Sequence, residues 1–144
     1  MDGRAFLDSV RLLMATPTEA NRRSAVSRAY YAVLNEARSA LDRWGFPVPA
    51  KADIDDFVAA RFMTARSMDL IRVADCLDLL DKNSDKADNS LTEPGVFADG
   101  NEVVRLVQRA EIGIDLLDQI EADPKRLEAA ITAIRADLPP VLGK

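Results

Sequence analysis

The stretch from Arg22 to Trp44, RRSAVSRAYYAVLNEARSALDRW, contains neither glycine nor proline and sorts its residues by helical spacing. Ala25, Ala29, Ala32, Ala37 and Ala40 form a stripe small enough to let another helix approach closely, and Val26, Tyr30, Val33, Leu41 and Trp44 add bulk beside it. Small and apolar residues over so wide an arc predict a helix with two packing partners, since a helix packed on one side needs only one stripe. On the remaining arc Arg28, Tyr31, Asn35 and Arg38 follow at intervals of three, four and three, a ladder of hydrogen-bonding groups along one face.

Upstream, Thr16 is expected to cap this helix, with Pro17 at the first helical position and Glu19 completing a capping box. Gly45 is the expected stop, so the helix would run from Pro17 to Trp44 and span about 42 Å. A shorter helix, Asp2 to Ala15, precedes it with Phe6, Val10, Leu13 and Met14 on one face. Phe46-Pro47-Val48-Pro49 cannot continue a helix and predicts an extended connector.

Beyond the connector, Asp53 opens a third helix in which Ile54, Phe57, Val58 and Phe62 are spaced for burial. Ser67 can cap a fourth from Met68 to about Leu91, with Leu70, Val73, Ala74, Leu77 and Leu80 inward; the pattern leaves open whether these two helices are continuous through Thr64. Pro94, Gly95 and Gly100 make the following stretch a loop. Asp99 and Glu102 announce a fifth helix with Val103, Leu106, Val107, Ala110, Ile114, Leu117 and Ile120 inward, and Asp123-Pro124 a sixth carrying Leu127, Ile131, Ile134 and Leu138. No alternating strand pattern of useful length occurs. The reading is an all-α, up-and-down bundle of five to six helices in one domain spanning residues 1–144.

Composition narrows the chemistry. The chain has no histidine and one cysteine, Cys76, which removes the usual zinc sites and Cys/His hydrolase centres and makes Cys76 a small core hydrophobe; neither metal nor cofactor is expected. No apolar run approaches the roughly 18 to 20 residues of a spanning helix, and the amphipathic N-terminus lacks the apolar core of a signal peptide, so a cytoplasmic location with no membrane partner is expected. A net charge of -5 argues against a broad nucleic-acid-binding surface. Residues 1–50 nevertheless carry seven Lys/Arg against five Asp/Glu, so a local basic patch remains available on the long helix.

The fourth helix carries its own stripe, Asp78, Asp81, Asp85 and Asp88, in which like charges repel by a few tenths of a kcal/mol per pair. Water and salt, pairing across helices with Arg28 or its neighbours, or a divalent cation would each compensate it.

The run Ser27-Arg28-Ala29-Tyr30-Tyr31-Ala32-Val33-Leu34-Asn35 resembles the S-R-A-Y-Y-A-x-F-H signature of HEPN domains, small prokaryotic helical bundles built on a long antiparallel helix pair. Lys86-Ala87-Asp88-Asn89 lies about where many relatives carry R-x-x-A-D-Y. The resemblance implies a bundle that dimerises and is often encoded beside a nucleotidyltransferase-like partner in toxin–antitoxin or defence modules. Many HEPN proteins are metal-independent RNases that use an arginine and a histidine. Asn35 stands where many relatives have histidine, and an amide cannot serve as the general acid or base that an imidazole provides near neutral pH.

Three readings of the long helix follow. In the first, Arg28, Tyr31, Asn35 and Arg38 bind a partner chain or a nucleotide in a non-catalytic homodimer. In the second, Arg28 or Arg38 stabilises a phosphate transition state in a degenerate RNase, with Tyr31 or a carboxylate moving the proton. In the third, Arg28 and Asp88 form an intrachain pair that joins the second and fourth helices and serves the fold alone.

Overall fold

The computed structural model describes residues 3–16, 18–64, 66–89 and 100–137, apart from the side chains of Thr64, Asp88 and Asn89. Among the described residues the chain forms six helices and no strand: α1 (Gly3–Met14), α2 (Glu19–Arg43), α3 (Ile54–Thr64), α4 (Met68–Asn89), α5 (Gly100–Ala122) and α6 (Pro124–Asp137). The expected loop at 92–99, the cap at Asp99 and the inward placing of Leu138 lie outside the described residues.

The long helix begins two residues later than expected. Thr18, with extended backbone at φ -94° and ψ 161°, is the N-cap, and its hydroxyl accepts the Asn21 N–H at 3.1 Å. Thr16 is used differently: its carbonyl accepts the Thr18 N–H at 2.9 Å and the Asn21 side-chain amide at 2.7 Å, which turns the chain before the helix starts. Glu19 completes no capping box with Thr16, because its carboxylate takes the Arg23 guanidinium at 3.1 and 3.2 Å.

The helix ends as the glycine predicts. Gly45 has φ +95°, its N–H donates to the Asp42 carbonyl at 3.2 Å, and the Phe46 N–H donates to the Leu41 carbonyl at 2.8 Å. That pair of bonds is a Schellman motif, in which a left-handed residue satisfies the last carbonyls. α3 and α4 are separate, since the chain leaves helical structure before Ser67, whose hydroxyl accepts the Leu70 N–H at 3.4 Å. Asp53 and Asp123 cap α3 and α6 by accepting backbone N–H groups at 3.1 and 3.0 Å.

Packing centres on α2. At about 38 Å it is the longest helix among the described residues, and it contacts α1, α4 and α5 extensively and α3 more lightly. Two partners were expected and four are present, which accounts for the width of the buried arc: all five stripe alanines are fully buried, with Val26, Val33 and Leu41 beside them. Contacts fix the directions. Arg23 near the start of α2 reaches Lys86 and Ala87 at the end of α4, so these two long helices are antiparallel. Val33 meets Gly113 and Arg43 meets Glu121, so α2 and α5 run parallel. Gly3 donates to Glu36 at 2.9 Å while Ser9 meets Arg28, so α1 runs back along α2. Gly3 lies so close to α2 that an added Cβ would run into the Ala32 carbonyl.

The core draws on all six helices, with Phe62, Leu70, Leu80, Ile120 and Ile134 among its fully buried members. Burying each such side chain contributes about 1.5–3 kcal/mol. Trp44 closes one end against Phe62, their rings 6.1 Å apart. Cys76 is buried in the core, as its residue type suggests. Ile54 departs from the expected pattern: at the first position of α3 it stays 38% exposed, while Leu7 and Leu34 join the core. A bidentate pair from Arg126 of α6 to Asp69 of α4, at 2.9 and 3.0 Å, fastens the outer layer and holds the Asp69 carboxyl below its ordinary value. No helix among the described residues is long and apolar enough to cross a membrane.

Candidate functional site

The ladder survives folding as an outward face. Arg28, Tyr31 and Arg38 are exposed and Asn35 is half-buried, all on the arc of α2 that no other helix covers. Tyr31, 41% exposed, leans on the buried Tyr30 with ring centroids 5.4 Å apart. Asn35 donates its side-chain amide to the Tyr31 carbonyl at 2.8 Å and therefore lies along the helix. Arg28 donates through Nη1 to the Ser9 hydroxyl of α1. Pairing of Arg28 with Asp88 concerns a side chain outside the described residues, and the same holds for Asn89.

A groove opens at each end of the ladder. One, of about 420 Å3, is lined by Ser24, Ser27, Arg28 and Tyr31 together with Arg23 and the end of α4 at Ala87. The other, of about 400 Å3, lies between Arg38, Ser39 and Asp42 of α2 and the Pro47–Ala50 connector. The structure thus joins the four ladder residues on one face and divides the surroundings into two unlike pockets. Guanidinium forks, hydroxyls and an aromatic ring can hold an anion and stack a planar group. The face has no imidazole, because the chain has none.

Arg23 is the residue that spacing did not single out. Only 8% exposed, it donates through Nη1 to the carbonyls of Ala87 at 3.0 Å and Lys86 at 3.5 Å while Nε and Nη2 hold Glu19. These carbonyls lie in the last described turn of α4, toward the negative end of its helix dipole. Arg23 therefore ties the start of α2 to the end of α4. Its signal was present: at positions seven and eleven residues before Tyr30-side and Leu34-side core members, an arginine falls on an otherwise apolar arc.

Asp78 and Asp81 of the acidic stripe lie by the Tyr30 and Leu34 flank of α2. The Tyr30 hydroxyl donates to Asp55 of α3 at 3.0 Å, and burial, then Asp55 and Asp81, push the phenol above its ordinary value. Asp81 is likewise pushed up, first by burial and then by Asp85, Asp55 and Asp78. Asp78 is compensated within α4 by Lys82 at 2.9 Å. Among the described residues the compensation of this stripe comes from Lys82 and the Tyr30 hydroxyl. Among the described residues no group of three or more His, Cys, Asp or Glu side chains could hold a metal ion.

In comparisons with known proteins, no family model, no curated protein and no solved structure matches this chain.

Proposed function

We propose that this chain is a non-catalytic, HEPN-like interaction protein, a homodimeric subunit of a toxin–antitoxin or defence-type module, which binds a partner protein or a nucleotide through Arg28, Tyr31, Asn35 and Arg38. The observation that carries this reading is the outward ladder. Its tyrosine and both of its arginines remain at the surface while the alanine-bearing arc of α2 is packed. Tyrosine and arginine are the side chains most enriched at interface hot spots, where a rigid ring and a fork of donors supply affinity at small entropic cost. The lack of histidine supports binding over cleavage, since no imidazole is available to move a proton near neutral pH.

Light scattering coupled to size exclusion tests the reading. The wild type is expected to elute as a dimer, and Tyr31→Asp combined with Arg38→Glu is expected to release monomers whose melting temperature stays within about 2 °C of the parent, because exposed positions contribute little to stability. A strict monomer across micromolar concentrations overturns the dimer. Cleavage of total RNA by the wild type that disappears in Arg28→Ala overturns the non-catalytic reading and restores the RNase alternative.

A further inference from the structure

We infer that the Arg38 end of the ladder receives a second copy of this chain, the two α2 helices meeting antiparallel about a two-fold axis so that Arg38 of each copy reaches Asp42 of the other. The inference rests on the dimer proposed above and names the charges that cross it.

Unpaired charge is the first ground. Along α2, Glu19 and Arg23 hold each other, Glu36 takes Arg4 and the Gly3 N–H, Arg28 holds Ser9 and Arg43 holds Glu121. Arg38 and Asp42 lie one turn apart on the exposed side, and among the described residues neither side chain makes an ion pair or a hydrogen bond.

Their order along the helix explains why they do not close on each other. An acid four residues before a base is the favourable arrangement, as in Glu19–Arg23 and Asp78–Lys82, which close at 3.1 and 2.9 Å. Arg38 precedes Asp42, which is the weaker order. Asp42 also sits in the last turn of α2, where the helix dipole disfavours a carboxylate. A cation from outside the chain thus gives Asp42 what its own helix does not.

Symmetry and shape select the source of that cation. In an isologous contact residue i meets j while j meets i, so an antiparallel crossing centred at the level of Ala40 sets Arg38 opposite Asp42 twice and matches both charges. The groove supplies the seat. It offers about 400 Å3 between Arg38, Ser39 and Asp42 on one side and Pro47, Val48 and Pro49 on the other, and all of its lining residues are described. An arginine stem entering it lies on that apolar wall while its guanidinium meets the carboxylate. Ser39 is short and Asn35 lies along its own helix, so a second helix can come close.

Sedimentation equilibrium and light scattering of the full chain at fixed ionic strength test this by charge reversal. Arg38→Asp and Asp42→Arg are each expected to weaken self-association about ten-fold or more, since symmetry doubles each change and sets like charges opposite one another. The two variants mixed in equal amounts are expected to associate with each other. Arg38→Asp combined with Asp42→Arg keeps the wild-type net charge and is expected to recover the wild-type dissociation constant to within about three-fold. Circular dichroism separates loss of association from loss of fold, and unfolding would not be rescued by the second substitution. Single variants that dimerise as the wild type does overturn the pairing and leave the dimer standing. A double variant as weak as the singles, or a mixture that does not associate, also overturns the pairing. A wild type that stays monomeric overturns the dimer and this pairing with it.

Discussion

Along α2 the arc that carries Ala25, Ala29, Ala32, Ala37 and Ala40 is wholly buried, while the adjoining arc places Arg28, Tyr31 and Arg38 in solvent. The first is built from the smallest side chains because α1, α4 and α5 must all approach the same cylinder, and the second carries long polar side chains that reach solvent beyond those helices. Under the proposed binding function, stability and recognition fall on separate stripes of one helix, and a substitution on either should leave the other readout largely unmoved.

The sharpest way to break that separation is to enlarge the buried side. Ala32→Leu forces three extra carbons beneath the first turn of α1, where Gly3 already lies against the Ala32 carbonyl. A loss of about 3 kcal/mol is expected in urea unfolding, at the upper end of overpacking costs. A loss below about 0.5 kcal/mol would mean that α1 can move aside and that the small-residue stripe is no packing requirement.

Arg23 sits between the two stripes in kind, a charged residue inside the buried arc. Arg23→Met keeps the aliphatic stem but strips the donors from the Lys86 and Ala87 carbonyls, and a loss of about 2 kcal/mol is expected by the same measurement. An unchanged midpoint would show that water caps the end of α4 equally well.

The smallest expected effect has the opposite sign. Asp81 has a folded pKa above its unfolded value, so its contribution is favourable at pH below the unfolded value and is lost as pH rises through the folded one. Wild-type stability is thus expected to rise as the pH falls from neutral toward the carboxylate range, and Asp81→Asn should flatten that rise and add about 0.5 kcal/mol at pH 7 by removing like-charge repulsion. Asp69, held low by Arg126, acts in the other direction, its contribution being present above the unfolded value of about 3.9 and lost as pH falls below it, so the two can be read in separate windows. Equal pH profiles for the parent and Asp81→Asn would remove Asp81 as the cause.

Local chemistry was legible where a signal is complete within a few residues. Gly45 as a stop, Ser67, Asp53 and Asp123 as caps, and the inward residues of α4 and α5 can all be read from spacing, because helix ends and amphipathic faces depend on near neighbours. The start of α2 was harder. Thr16 and Thr18 are both good caps, and the choice turns on the Thr18 N–H and the Asn21 amide both seeking the Thr16 carbonyl, a competition that residue types do not rank. Of the candidate face, the ladder itself was legible from its three-four-three spacing. The role of Arg23 was not, because it depends on where a helix more than sixty residues away comes to an end, and neither was the contact between Tyr30 and Asp55, which joins helices by folding rather than by sequence distance.

The tie at Arg23 gives the last turn of α4 and one wall of the groove a common support. Fraying at that helix end and reshaping of the groove are then a single opening event, with a single free energy. Amide hydrogen exchange in the last described turn of α4 is then expected to quicken in Arg23→Met together with any change in the groove's shape, so one backbone measurement reports on both.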